Sequence, residues 1–161
     1  MKRLLILLLL VVILVPSHAV AAGSTQINGG GRGTVDDGVT PTPFSQFGFG
    51  VSIAPGGSAQ GHFTCLMAGS SVFPGFEPLM MVEGNVSSGS ANLGAGTAEF
   101  SGSGTLNLGP AGRTPALFWV DVTEGGVGVG TLTLTVLSLP LGSVPVTLPA
   151  ETVMHGRIAI H

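Results

Sequence analysis

Lysine is absent after position 2, tyrosine is absent altogether, and cysteine and tryptophan each occur once, as Cys65 and Trp119. Without lysine the body of the chain has no Schiff-base chemistry, no phosphate-loop lysine and no Ser-x-x-Lys nucleophile. Beyond residue 3 the cations are Arg32, Arg113 and Arg157, set against eight carboxylates. That balance leaves no basic stripe for phosphates and argues against nucleic acid and against docking on anionic lipid. A lone cysteine makes no internal disulfide, so packing must hold the fold. Gly-x-Ser-x-Gly, His-Glu-x-x-His and Gly-x-Gly-x-x-Gly are missing as well, which removes the commonest motif-bearing catalysts.

What is present begins with an export signal. Lys2 and Arg3 precede the apolar run Leu4 to Val15, Pro16 breaks it, and Ala19-Val20-Ala21 supplies a small-x-small cleavage pattern. Twelve apolar residues at about 1.5 Å each span about 18 Å, too short for a hydrocarbon core of about 30 Å. Residues 1–21 are therefore expected to be a signal peptide, cleaved near Ala21. Residues 22–161 then form a single secreted β domain with no membrane attachment after cleavage. Only 8% of residues are charged and 44% are apolar, which separates this glycine-rich chain from a disordered one despite 27 glycines and 11 prolines.

Strand patterns recur with period two. Phe47, Phe49, Val51 and Ile53 share one parity, and Phe63, Cys65 and Met67 share another after the Pro55-Gly56-Gly57 turn. Leu79 to Val82 is a short apolar candidate that Glu83-Gly84-Asn85 is expected to end. In Thr97 to Leu108, Phe100, Leu106 and Leu108 keep parity across Gly102 and Gly104, glycines that mark a bulge or a close backbone approach. Ala116, Phe118, Val120 and Val122 alternate with Leu117, Trp119, Asp121 and Thr123. After Glu124-Gly125-Gly126, Thr131, Thr133 and Thr135 alternate with Leu132, Leu134 and Val136, so these two segments read as a hairpin. Pro145 and Pro149 demote Val144 to Val153 to an edge or an irregular connection, and Gly156 to His161 closes the chain as a strand. No window carries helical spacing. The expected fold is all-β: an antiparallel β-sandwich or partly open barrel of seven to nine short strands with little or no helix.

The chemistry-bearing residues are few. His62, His155 and His161 follow the leader; a metal site would need two of them with a carboxylate such as Asp121 or Glu151, and six residues of straight strand hold His155 about 20 Å from His161. Cys65 reads as a core thiol, because His62, three residues away on a strand, points to the opposite face. Glu83, Glu99, Asp121, Glu124 and Glu151 are available for a carboxylate pair of the glycosidase kind, but sequence does not pair them. Trp119 shares a face with Asp121 and is placed to contact a ligand. The candidate ligand-binding residues are thus His62, Trp119, Asp121 and His161, with no catalytic or metal-ligating residue assigned and no cofactor implied. Asp36-Asp37-Gly38 reads as a solvated loop rather than a calcium site.

Several marks, in order, resemble a known domain. They are Asn28-Gly29-Gly30-Gly31, Phe47-Gly48-Phe49, Gly61-His62-Phe63, Gly102-Ser103-Gly104-Thr105, the Phe118 to Thr123 strand and the closing Gly156-Arg157-Ile158-Ala159-Ile160-His161. Together they resemble a small secreted bacterial domain found after choice-of-anchor P modules, mainly in actinobacteria. The resemblance implies an all-β extracellular module and carries no established activity; His62 and His161 match as polar positions without a role. The chain departs from that pattern where Phe63 is followed by Thr64-Cys65-Leu66-Met67 rather than by an Asp-His pair, and where Glu124-Gly125-Gly126 replaces a longer acidic turn.

The expected function is that of an exported non-enzymatic β module, a cell-surface, matrix or accessory binding or structural domain whose partner is another surface protein or a polymer. The competing expectation is a small secreted hydrolase built on a carboxylate pair or a histidine-metal site. Self-association through a weakly charged edge strand is a third.

Overall fold

The computed structural model describes residues 23–34, 44–68, 79–137 and 145–161. The leader and Asp36-Asp37-Gly38 lie outside the described residues, as does the first residue of the Val144 to Val153 stretch, whose remainder holds a two-residue strand at Val146–Thr147 and the start of the last strand. Nine strands make up nearly everything else: β1 (Thr25–Thr34), β2 (Phe44–Ile53), β3 (Ser58–Ala68), β4 (Leu79–Asn92), β5 (Thr97–Asn107), β6 (Arg113–Thr123), β7 (Thr131–Val136), β8 (Val146–Thr147) and β9 (Glu151–Ile160). A single 3-10 turn, Gly109–Ala111, joins β5 to β6. The all-β expectation holds, with the strands in one sheet.

Every pairing is antiparallel, and from β1 to β7 each strand pairs with the next in sequence. The second edge of β7 takes β8 and the start of β9, and β9 returns to β1, so the pairings run round a ring. The seam between β7 and β9 is the narrowest pairing in that circuit, with Thr131 opposite Thr152 and Leu132 opposite Glu151. The β6–β7 turn lies over the gap above it: Gly125 and Ile158 exchange backbone hydrogen bonds at 3.0 and 2.8 Å, and Gly128 N–H donates to the Val153 carbonyl at 2.9 Å. Closure uses up backbone groups that an open sheet would leave at its edges. The described pairings leave as edges the start of β6, the two-residue β8 and the side of β9 beyond Thr152 that meets only the β6–β7 turn, which limits self-association through a strand to those segments.

The ring closes around one apolar interior because alternate residues point inward. Phe47, Phe49, Val51 and Ile53 are buried on β2, Phe63, Cys65 and Met67 on β3, and Ala116, Phe118, Val120 and Val122 on β6. Five phenylalanine rings run through the centre, with centroids 6.1 Å apart for Phe47–Phe49, 5.3 Å for Phe49–Phe100, 5.8 Å for Phe63–Phe100 and 5.3 Å for Phe63–Phe118. Burying each such ring contributes about 1.5–3 kcal/mol. The interior is filled by side chains, as expected for a ring of this strand number.

Large rings fit because glycines face them. A Cβ on Gly29 would sit 2.2 Å from the Phe49 ring, and one on Gly84 or Gly102 would sit 2.9 Å from that of Phe118. This is the close approach expected at Gly102, and it also explains two corrections. Glu83-Gly84-Asn85 does not end a strand: β4 runs on through it to Asn92, because Phe118 fills the space that Gly84 leaves. Residues 25–34, with four glycines, carry no apolar alternation in sequence and yet form β1, with Gly29 opposite Phe49. The last strand is also longer than expected. It starts at Glu151 rather than Gly156, with a bulge against β1 and with Gly156 at φ +93, a conformation that favours glycine.

Candidate functional site

The four candidate residues are placed in three different parts of the shell. His62 is exposed on β3, its Nδ1 3.5 Å from Asn85 Oδ1 on β4. His161 follows β9 at the end with the short turns, where its backbone exchanges hydrogen bonds with Gln26 at 2.8 and 2.9 Å. Three strand spacings separate His62 from β6, and three separate it from β9 on the other side. Trp119 and Asp121 do come together: both point outward from β6, and the indole Nε1–H donates to Asp121 Oδ1 at 3.1 Å. Among the described residues no group of three His, Cys, Asp or Glu side chains could hold a metal ion.

Asp121 has a second neighbour that sequence could not supply. It stands directly opposite Glu99 in the β5–β6 register, on the same outer face. Ser90 on β4 continues that row, its Oγ donating to Glu99 Oε1 at 3.0 Å, and Thr133 on β7 ends it. A parallel row runs Asn92, Thr97, Thr123, Thr131. Between the two rows lies a groove of about 460 Å³ that Glu99 and Asp121 both line. A smaller hollow beside it is lined by Trp119, Ser88, Ser101 and Gly89 and shares Ser90 and Glu99 with the groove. Two carboxylates facing each other without a cation cost stability, since like charges directly opposite in a sheet repel. Among the described residues neither meets a basic side chain.

A second polar cluster lies inside the ring and was not anticipated as a unit. Glu151 opens β9 with its side chain buried, 2% exposed, and accepts a hydrogen bond from Ser45 Oγ of β2, itself 1% exposed. Burial pushes the Glu151 carboxyl above the ordinary carboxylate range, and the Ser45 hydrogen bond opposes the shift. Cys65 lies close enough to feel that charge. Burial first, and Glu151 second, raise its thiol well above the usual range, again against a hydrogen bond with Ser45. Cys65 is therefore a neutral core thiol between Phe63 and Met67, as expected, and a poor nucleophile. The signal for the cluster was parity: Ser45 shares the register of Phe47 and Phe49, and Glu151 that of Val153. Arg32, beside this end of the ring, turns outward and lays its guanidinium 3.7 Å from the Phe44 ring centroid.

The interior cluster is sealed among apolar side chains, whereas the outer groove is open and polar; the groove is the place where a ligand can be met. No protein-family model, no curated protein and no solved structure matches this chain.

Proposed function

We propose that residues 22–161 are an exported β module that acts as a non-enzymatic surface, matrix or accessory binding domain, and that its binding face is the outer surface of β4–β7. The observation that carries this reading is the juxtaposition of Trp119, Asp121 and Glu99 in one continuous depression. A half-buried indole beside solvent-accessible carboxylates is the combination that recognition sites use. The leader pattern of residues 1–21 and the resemblance to a secreted module agree with it. Two measurements test it. N-terminal sequencing of the protein recovered from the medium is expected to begin near Ala22. Sedimentation of the purified domain with insoluble envelope and matrix material of the producing cell is expected to show binding that Trp119→Ala weakens about tenfold or more; equal binding by the variant removes this face from the assignment.

The Glu99–Asp121 pair also favours a second reading, a secreted glycoside hydrolase, since opposed carboxylates are what that chemistry uses. Release of reducing ends by the wild-type domain, lost in both Glu99→Gln and Asp121→Asn, would establish it in place of the first.

A further inference from the structure

The binding face has a chemistry of its own, and we propose that its ligand is a neutral polysaccharide, a chain of sugar residues without charged substituents, lying across β4–β6 from Trp119 toward Asn92. This rests on the binding-face reading above and adds the class of partner. The first argument is shape. The groove and the Trp119 hollow share Ser90 and Glu99, and a third hollow at the β2–β3 turn shares Ser90 and Ala91 with the groove and Gly57 and Gly89 with the Trp119 hollow. Three depressions joined in this way form one elongated trough, which a polymer fills and a compact metabolite does not.

The second argument is the hydrogen-bonding inventory. Ser90, Thr97 and Thr123 offer hydroxyls that donate and accept, Asn92 offers both, and Glu99 and Asp121 only accept. A polyol, each hydroxyl of which also donates and accepts, satisfies that mixture. Ser90 bonds to Glu99 Oε1 and Trp119 to Asp121 Oδ1, so each carboxylate keeps its other oxygen available to accept from a sugar hydroxyl. The third argument is charge. Two facing carboxylates with no basic side chain lining the groove or the Trp119 hollow repel phosphate, sulfate and uronate, which argues against nucleic acid and acidic polymers. A cationic polymer would find partners for its charges only at these two carboxylates, because the rest of the groove, from Ser90 and Asn92 to Thr97, Thr123, Thr131 and Thr133, is uncharged. Trp119 supplies the indole that the apolar face of a sugar ring requires.

The test is affinity electrophoresis of the purified domain in gels holding one polymer each: neutral glucan, xylan or mannan, acidic polygalacturonate, and basic chitosan. At least one neutral polymer is expected to retard the domain, with affinity changed less than about twofold by added salt, because no ion pair is formed. Trp119→Ala and, in the middle of the trough, Ser90→Arg are each expected to reduce that affinity about tenfold or more. Circular dichroism confirms that each variant is folded, and the exposed position of Ser90 makes Ser90→Arg the safer of the two. Retardation by polygalacturonate or chitosan alone overturns the ligand class, as does retardation by none of the polymers. Neutral retardation that survives both substitutions overturns the trough. If envelope sedimentation stays sensitive to Trp119→Ala while no neutral polymer retards the domain, the binding face stands and only its ligand class falls.

Discussion

Glu151 makes the stability of this domain fall as pH rises. Its carboxyl is buried at the seam where β9 meets β7 through two residue pairs, and Cys65 of β3 is the titratable group that shares its surroundings. The folded chain holds the Glu151 proton above the ordinary value near 4.5, so its pKa is raised relative to the unfolded chain. Below that value both states are protonated and the full stability is present. Above it the unfolded chain releases a proton that the folded chain keeps, and stability is lost until the folded carboxyl ionises too. For a single proton the slope reaches about 1.4 kcal/mol per pH unit. The assay is urea unfolding from pH 4 to 9 followed by fluorescence of the lone Trp119, comparing wild type with Glu151→Gln. Glutamine keeps an acceptor for Ser45 and cannot ionise, so the variant is expected to match the wild type near pH 4, to exceed it at neutral pH and to show a flatter profile. Parallel profiles for the two proteins would refute the reasoning.

Phe118→Ala removes a fully buried ring that lies over two glycines, so neighbouring side chains cannot fill the hole; a loss of about 3–5 kcal/mol is expected in urea unfolding. Gly102→Val drives a branched side chain into both the Asn85 carbonyl and the Phe118 ring, and the expected outcome is no folded protein by circular dichroism. Cys65 is expected to resist alkylation at pH 8 in the native state and to react within minutes once unfolded, as mass spectrometry would show; fast native labelling contradicts its burial. Asp121→Asn keeps an acceptor for the Trp119 indole while relieving the repulsion with Glu99. It should raise stability by about 0.2–1 kcal/mol, more at low salt than at high.

Sequence made the fold class legible wherever apolar residues alternate, as in Phe47 to Ile53, Phe63 to Met67 and Ala116 to Val136. It failed where glycines stand at inward positions of β1 and β4, although β5 was legible across Gly102 and Gly104. β1 and the middle of β4 lack the apolar signal because their inward glycines are covered by the rings of Phe49, one strand away, and of Phe118, two strands away. The pattern of a strand with a missing side chain exists only in the pair, and no single strand displays it. The same limit governed the sites. The contact between Trp119 and Asp121 was readable because they are two residues apart on one strand, whereas Glu99 joins them through register across β5 and β6. Ser45, Cys65 and Glu151 come from three strands, and only ring closure brings the last of them to the first.

The filled interior also decides where recognition can occur. A ring of antiparallel strands can hold a ligand in its lumen when inward residues are small, but here the inward glycines are already matched by phenylalanines and the lumen is occupied. Small residues on the inside thus serve packing, and the polar residues on the outside are not needed for it. Ser90, Thr97, Thr123 and Thr131 point away from the core, and their exchange for charged residues would cost the fold little while adding the surface charge that a chain with 8% charged residues lacks. Hydroxyls in two cross-strand rows around an opposed carboxylate pair are therefore best explained by what they contact outside the domain. Lysine scanning of this face, with stability and polymer affinity measured on each variant, separates the two demands. Substitutions at Thr97 and Thr123 should leave the unfolding midpoint within about 0.5 kcal/mol while lowering affinity, and a scan in which both fall together would return these residues to the fold.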